Sequence, residues 1–535
     1  MSLPKSELPT SGDGVPPPPS NNKTTMDDAI SSSRSSSEAT HDDNRLTIEP
    51  GDLEKVMSKH EDADVAVTIQ ETNDPNVVNW DGPDDPEKPL NWPASKKWIN
   101  IALISSITFL TPFASSTFAP GVPLVMEEFG EKSLAVASLV VSIYVLGYVF
   151  GPLIIAPASE HYGRLPVYHV NTFLFLAFSI GCARSTSISM LIVFRFLAGV
   201  AGSSPITIGS GTIADTFKQE QRGKVMSIWS FPILFGPSLG PVVGSYLSAA
   251  AGWRWDFYLI SICTAILLVL TVVCQRETYP PVLLERKAKR LRKETGNYKL
   301  RSALQTPKTP REMFLLSIVR PIKMLCFSPI IFGTSLYIAV TYGYLYLLFT
   351  TVTFVFEDQY GISSSNVGLV YLGTGLGQLV GLTGFGYFSD RLLKKWAKGG
   401  ELKPELRLPL LWPGAALIPS GLFIYGWSAE YKVHWIVPII GTFIFGAGMI
   451  ITFMPIGTYL VDSYTIYAAS AMAANTVLRS IGGALLPLAG RSLYKALGLG
   501  WGNSLLAFIA LGMTPMIWVF CKYGEKIRKR FQLNL

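Results

Sequence analysis

From Trp98 onward the chain alternates between apolar runs and short polar breaks. The runs lie at about 98–119, 134–157, 166–183, 188–212, 224–248 and 256–275. A polar stretch, 276–327, interrupts the pattern, and six more runs follow at about 328–356, 365–388, 408–427, 433–459, 468–493 and 501–521. A helix of ~20 residues rises ~30 Å, the depth of a bilayer's hydrocarbon. The pattern therefore predicts an all-α integral membrane protein of twelve transmembrane helices: six, a loop, then six. The segments that follow are a tail over 1–95, an N-terminal six-helix bundle over 96–275, a linker over 276–327, a C-terminal six-helix bundle over 328–521 and a short basic tail over 522–535.

The tail breaks this rhythm. It is rich in Ser and Pro, and its acidic residues outnumber its basic ones more than two to one. Such a segment buries too little apolar surface to offset its ordering entropy, so disorder is expected. It has no apolar run after a basic start, so no cleavable signal peptide is expected, and the first span must direct insertion itself. The one glycosylation sequon, Asn22-Lys23-Thr24, lies in this tail and is expected to be silent. The linker carries 13 basic and 4 acidic residues, and Leu283 to Lys293 has the spacing of a basic amphipathic helix, suited to an anionic membrane surface.

Charge also sets orientation. Loops after even-numbered spans hold Arg164; Lys218, Arg222 and Lys224; and Arg391, Lys394, Lys395, Lys398, Lys403 and Arg407, whereas loops after odd-numbered spans hold about one basic residue each. Basic loops stay on the cytoplasmic side, so both termini and the linker are expected there. Composition agrees with a membrane protein: 49% of residues are apolar, mean hydropathy is +0.32, and charged residues are 16%, against ~25% in soluble domains. The net charge of +7 sits between apolar spans and is no sign of nucleic-acid binding. The five cysteines show no metal-like spacing, so neither a metal site nor a cofactor is expected.

A charge inside a span is costly and is a functional candidate by default. Arg195 falls mid-span in the fourth run; Arg479 falls in the eleventh, one turn after Asn475. The alternative for Arg195 is a tether that bonds backbone carbonyls of neighbouring helices. No carboxylate falls inside a run; Asp215, Asp256, Glu357, Asp358 and Asp462 lie at ends. A cavity without carboxylates suits neutral or weakly anionic lipophilic compounds better than polyamines, since desolvating a cation without a counter-charge is costly. In the fifth run Gly236, Gly240 and Gly244 fall four residues apart, with Pro237 and Pro241 between them. On a helix they form a ridge that permits close backbone approach, tolerable only where neighbours satisfy the carbonyls the prolines leave free. The loop after the second run holds Glu160, Gly163 and Arg164, and Asp215 is the natural partner for Arg164; a weaker copy, Gly386 to Arg391, follows the eighth run. A carboxylate in this loop can dock on the positive end of a neighbouring helix.

Together these features resemble the major facilitator superfamily, specifically its fungal twelve-span drug:proton antiporters. The matching parts are Asn91-Trp92-Pro93, the loop from Glu160 to Arg164, Arg195 with Gly199, the Gly236 to Gly244 ridge, and the stretch from Tyr464 to Asn475 with Arg479. The resemblance spans about Asn91 to Tyr523 and implies two pseudo-symmetric six-helix bundles that alternate access to a central site. It implies that Arg195 takes part in proton transfer, with Arg479 a second candidate, and that the ridge favours outward exchange. It further implies that Glu160, Arg164 and Asp215 latch the cytoplasmic side in the outward-open state. The chain departs from some relatives in lacking a mid-span carboxylate. Spans 1, 4, 7 and 10 line the cavity in such proteins and spans 2, 5, 8 and 11 face it in part, so Thr111, Phe113, Tyr144, Trp229, Tyr342, Tyr346, Gln378 and Asn475 are the candidate substrate contacts.

The reading is a secondary transporter, not an enzyme, exporting small lipophilic compounds (a drug, a toxin or a secondary metabolite) in exchange for protons. A monomer in the plasma membrane is expected, with the vacuolar membrane as alternative. Competing readings are a proton-coupled importer of organic anions or nutrients, a polyamine exporter, and a transporter-like sensor. A membrane enzyme is disfavoured because H-E-x-x-H is absent and the one G-x-S-x-G string, Gly236 to Gly240, lies inside the apolar fifth run rather than at a strand-to-helix turn.

Overall fold

The computed structural model describes residues 76–304, 310–397, 404–464 and 468–531. The expectations for the tail before residue 76, including the Asn22 sequon, and for part of the linker lie outside these residues, as do Lys398 and Lys403. Ten helices are long and apolar enough to cross a bilayer. The last of them is divided at Gly498, whose φ of +76° and ψ of 174° break the helix. One further helix, Gln219–Ala251, is long enough to cross as well and carries Pro232, Pro237 and Pro241. Counting that division and this helix gives the twelve spans the apolar pattern predicts.

The first bundle comprises Ala94–Thr117 (span 1), Leu134–Tyr162 (span 2), Arg164–Ala183 (span 3), Ile188–Gly202 with Ser204–Thr216 (span 4), Gln219–Ala251 (span 5) and Arg254–Cys274 (span 6). The second comprises Pro329–Tyr360 (span 7), Tyr371–Ala397 (span 8), Leu411–Glu430 (span 9), Ile436–Ser463 (span 10) and the two parts of Ala468–Arg530 on either side of Gly498 (spans 11 and 12). Start positions follow capping chemistry. Ser133, Ser187 and Ser328 each accept a backbone N–H three residues on, at 3.4, 3.3 and 3.4 Å, and so satisfy one orphan donor of spans 2, 4 and 7. Each bundle has its own cores. Phe118, Tyr144, Phe175 and Phe257 centre one in the first bundle, and Tyr344, Phe349, Tyr371 and Tyr425 centre one in the second.

The linker differs from expectation in two ways. It forms two helices, Pro280–Thr295 and Pro310–Phe327, the second of which was not expected. The first ends at Gly296, in the left-handed conformation at φ +68° that favours glycine there. It does not present all its basic side chains to solvent. Lys287 is buried, bound to Asp81 at 2.6 Å and to Asp85 at 3.4 Å, while Arg290 pairs with Glu87 at 3.3 Å.

Those three acids belong to the stretch 76–93, which the sequence reading placed in the disordered tail. Instead Val77–Val78 (β1) pairs in parallel with Arg301–Ser302 (β2), and Pro89–Asn91 forms a 3-10 turn. Burial opposes ionisation of Asp85, but the N–H groups of Asp81 and Glu87 and the Lys287 ammonium outweigh it and hold its carboxyl below the usual range. The acids that argued for disorder are the partners of the basic linker, so ordered structure begins before span 1. We call the face that carries the linker the linker side, and the opposite face the far side.

Candidate functional site

The glycine–proline ridge of span 5 lies on span 1. A Cβ at Gly236 would stand 2.9 Å from the Phe109 carbonyl oxygen, and one at Gly240 would stand 2.7 Å from that of Phe113. One at Gly244 would overlap the Thr117 carbonyl oxygen. Any side chain beyond hydrogen would force the two helices apart. Pro241 has no N–H for the carbonyl of Pro237, four residues earlier. Ser116 on span 1 fills that gap, its Oγ donating to the Pro237 oxygen at 2.7 Å. The same joint thus removes a hydrogen bond within span 5 and replaces it with one to span 1.

On the other side of span 1 lies Arg195, only 1% exposed. Its Nη2 donates to the carbonyls of Ser115 (2.9 Å) and Val141 (3.1 Å), and its Nη1 reaches that of Ala114 at 3.5 Å. Ala114 and Ser115 belong to the last turn of span 1, whose carbonyls lack helical donors and present a negative dipole end. The rings of Phe118, Tyr144 and Phe257 face the guanidinium at 5.2, 5.3 and 5.7 Å. The tether geometry weighed from the sequence is therefore present, and it joins spans 1, 2 and 4.

Most of the candidate substrate contacts gather where the bundles meet. Tyr346 of span 7 and Ser115 of span 1 share a hydrogen bond at 2.9 Å, and Tyr144 donates to the Thr111 carbonyl at 2.9 Å. Tyr342 lies 5.1 Å from Tyr346 between ring centroids, and Arg479 sits over Tyr342 at 5.0 Å and over Phe453 at 5.4 Å. Asn475 Oδ1 and Arg479 Nε of span 11 are buried without a hydrogen-bond partner. Phe113 is buried on span 1 against the ridge. Gln378 lies at the span 5–span 8 seam, accepting from Ser238 Oγ at 3.4 Å and directing its Nε2 at the Met449 sulfur at 3.8 Å. Trp229 is not among them. Its Nε1 donates to Thr108 Oγ1 at 3.1 Å and its ring packs on Gly209, within the core of the first bundle.

On the linker side Arg164 pairs with Asp215 at 3.2 Å and donates to Ser159 Oγ at 2.7 Å. Glu160 is exposed there, and the carboxylate on the helix end belongs to Glu277. Glu277 accepts the backbone N–H groups of Arg164 (2.9 Å) and Leu165 (3.1 Å), at the positive end of span 3. Gly163, at φ +99°, leaves the space it occupies. Sequence reading missed Glu277 because it counted it only among the linker's charges. It also missed that Asp256, assigned to a span end, is fully buried under the turn Ala119–Gly121. The only hint was an acid just after the start of an apolar run.

A twelve-span pair of bundles, a mid-bundle arginine and a glycine ridge can now be set beside known proteins. The family description "Major Facilitator Superfamily" matches residues 104–487. The chain belongs to the major facilitator superfamily. It is 57% identical over 468 residues to the MFS-type transporter penM of Penicillium rubens, covering 87% of this chain and 92% of that one. It is 50% identical to the efflux pump radE of Floropilus chiversii, covering 87% and 88%. Among solved structures it is similar to the E. coli xylose transporter XylE in a partially occluded inward open conformation. That match has a TM-score of 0.59 and 16% identity, and covers 80% of this chain and 98% of that one. This major facilitator protein is a multi-pass secondary transporter and not an enzyme.

Proposed function

We propose that this transporter exports small lipophilic compounds in exchange for protons. The observation that carries the reading is the span 1–span 5 joint. It combines glycines too close to span 1 for any side chain with a proline-freed carbonyl held by Ser116. That joint is rigid where the two helices touch, and it fits the antiporter ridge that the sequence resembles. A relative named as an efflux pump supports the outward direction. In this reading Arg195 and Arg479 take part in coupling, and Glu160, Arg164 and Asp215 form the latch. Thr111, Phe113, Tyr144, Tyr342, Tyr346, Gln378 and Asn475 meet the substrate, and Trp229 supports them from behind.

The basic loops make the linker side cytoplasmic, and the plasma membrane is the site of action of a monomer. On the far side span 5 is joined to the turn that precedes span 8, with Ser245 Oγ donating to the Ser365 carbonyl at 3.0 Å and Tyr246 reaching Asn366 at 3.4 Å. This supports an inward-facing state. The test uses inside-out membrane vesicles from cells that overproduce the protein, offered a panel of neutral and weakly acidic lipophilic compounds. An acid vesicle interior should drive accumulation of some of them, and no gradient-dependent carriage of any would sink the reading.

One observation favours a second reading, import of organic anions. Arg479 sits among aromatic rings with its Nε unmet, and an anionic substrate would supply the missing charge. Under that reading the same vesicles would accumulate acids only under the opposite pH gradient.

A further inference from the structure

A second buried ionisable group stands beside Arg195. Asp256, in the first turn of span 6, is 0% exposed. Its Oδ2 accepts a hydrogen bond from Ser248 Oγ of span 5 at 2.6 Å, while its Oδ1 is buried with no partner. The turn Ala119–Gly121 closes over it so tightly that a Cβ at Gly121 would lie 2.8 Å from Ser248 Oγ and 3.3 Å from Asp256 Oδ2. The next residue, Phe257, presents its ring to the Arg195 guanidinium at 5.7 Å.

Arg195 has an unmet atom too. Its Nε is buried without an acceptor. A cavity of about 10 Å³ lies against Arg195, Tyr144, Cys182 and Phe257, on the order of the room one water needs. The other charges near Asp256 are already matched. Arg254, on the same helix, is held by Glu128 through two bonds of 2.7 Å, and Trp253 Nε1 donates to Glu128 at 2.7 Å. The turn over the carboxylate contributes only Ala119, Pro120 and Gly121. Arg195, held by carbonyls and rings rather than by a carboxylate, faces the span 6 turn that carries Asp256 through the Phe257 ring.

A carboxylate in this position is finely balanced. Ionised, it leaves one oxygen without a donor in a low-dielectric site, which is costly; the nearby guanidinium offsets part of that cost. Protonated, it loses the attraction to Arg195. The charge state of Asp256 thus changes the field on the group that ties the last turn of span 1 to spans 2 and 4.

We propose that Asp256 carries the exchanged proton. An O–H bond forms at Oδ1 with a proton from far-side water when the turn Ala119–Gly121 lifts. The neutral carboxyl then weakens the hold on Arg195, and spans 1 and 2 are free to shift. In the linker-open state the bond breaks, and the proton leaves to water entering by the cavity at Arg195. This assignment rests on the antiport reading and uses the one fully buried carboxylate that the spans hold among the described residues.

Two measurements on the full-length protein in liposomes test it. The first needs no substrate. The difference between wild-type and Asp256→Asn infrared spectra across about pH 5–9 should show a protonated-carboxyl band that titrates, the bands of the other carboxyl groups cancelling. Ser248→Ala keeps the acid but removes its donor, and should displace the titration midpoint. The absence of such a difference band, or a midpoint of that band unmoved in Ser248→Ala, overturns the assignment.

The second measurement uses radiolabelled fluconazole as a neutral probe. In Asp256→Asn, uptake driven by a pH gradient should fall at least ~10-fold, a transition-state or coupling loss of ~1.4 kcal/mol or more, while probe counterflow should fall less than ~3-fold. Equal gradient-driven uptake in variant and wild type overturns the role of Asp256. Probe counterflow in a wild type that ignores the pH gradient overturns the antiport reading instead, and the two failures are thereby told apart.

Discussion

At the scale of single residues, Arg195 combines two properties that the sequence could only set against each other. Its guanidinium forks between carbonyls of span 1 and span 2, and it also lies against Phe257, the residue next to the buried Asp256. A lysine would keep the charge but lose the planar fork. Arg195→Lys should therefore leave at least one of the Ala114, Ser115 and Val141 carbonyls without its donor, at about 1–3 kcal/mol each. The expected outcome is a lower melting temperature in detergent together with at least a ~10-fold loss of transport. Unchanged melting would show that the fork is dispensable to the fold. Arg195 was legible because charge is rare inside spans. Asp256 was not, because an acid near a helix start reads as an ordinary favourable dipole partner, and only the three-dimensional cover of Gly121 shows that it is sealed from solvent. Glu277 was hidden for a related reason: its partners are backbone N–H groups more than a hundred residues away, at Arg164 and Leu165.

Among helices, the ridge was legible as a spacing but not as an interface. Glycines four apart define a smooth face on any helix, yet nothing in their order names the partner. The structure supplies it in the form of carbonyls at Phe109, Phe113 and Thr117, one for each glycine. This gives a graded expectation along the ridge. Gly244→Ala, the smallest possible change, should already destabilise the protein by about 1–3 kcal/mol, since its methyl would meet the Thr117 carbonyl directly. Ser116→Ala should cost about 1–2 kcal/mol by stranding the Pro237 carbonyl, without any steric conflict. Thermal unfolding of the two single variants and the double variant in detergent measures both, and the two effects should be less than additive because they loosen the same joint. Strict additivity would mean that the ridge and the proline-freed carbonyl act independently. Trp229 shows the converse limit. An aromatic residue on a predicted cavity helix cannot be assigned a face from composition alone, and here it fills the space left by Gly209 in the bundle core.

Over the whole molecule, the count of spans and their division into six and six were written in hydropathy, because a bilayer imposes one length on every crossing. Ordered structure before span 1 was not, since acids on 76–93 argue for disorder until their basic partners on the linker are known. The arrangement of the two bundles was equally invisible in sequence, because it depends on contacts between spans that share no pattern. The far-side seam is such a contact: Ser245 Oγ donates to the Ser365 carbonyl at 3.0 Å, so cysteines at these two positions lie close enough to be bridged after a small adjustment. If the bundles must separate there to release substrate, joining them should trap the transporter. In a background with the natural cysteines Cys182, Cys263, Cys274, Cys326 and Cys521 replaced, Ser245→Cys with Ser365→Cys should crosslink on oxidation. Transport should fall to background and return when the bond is reduced. Each single variant treated with the same oxidant should be unaffected, which separates trapping from damage. Full transport by a quantitatively crosslinked protein would mean that spans 5 and 8 never part on the far side, and a rocking motion of the two bundles about their shared tyrosine centre would then be excluded.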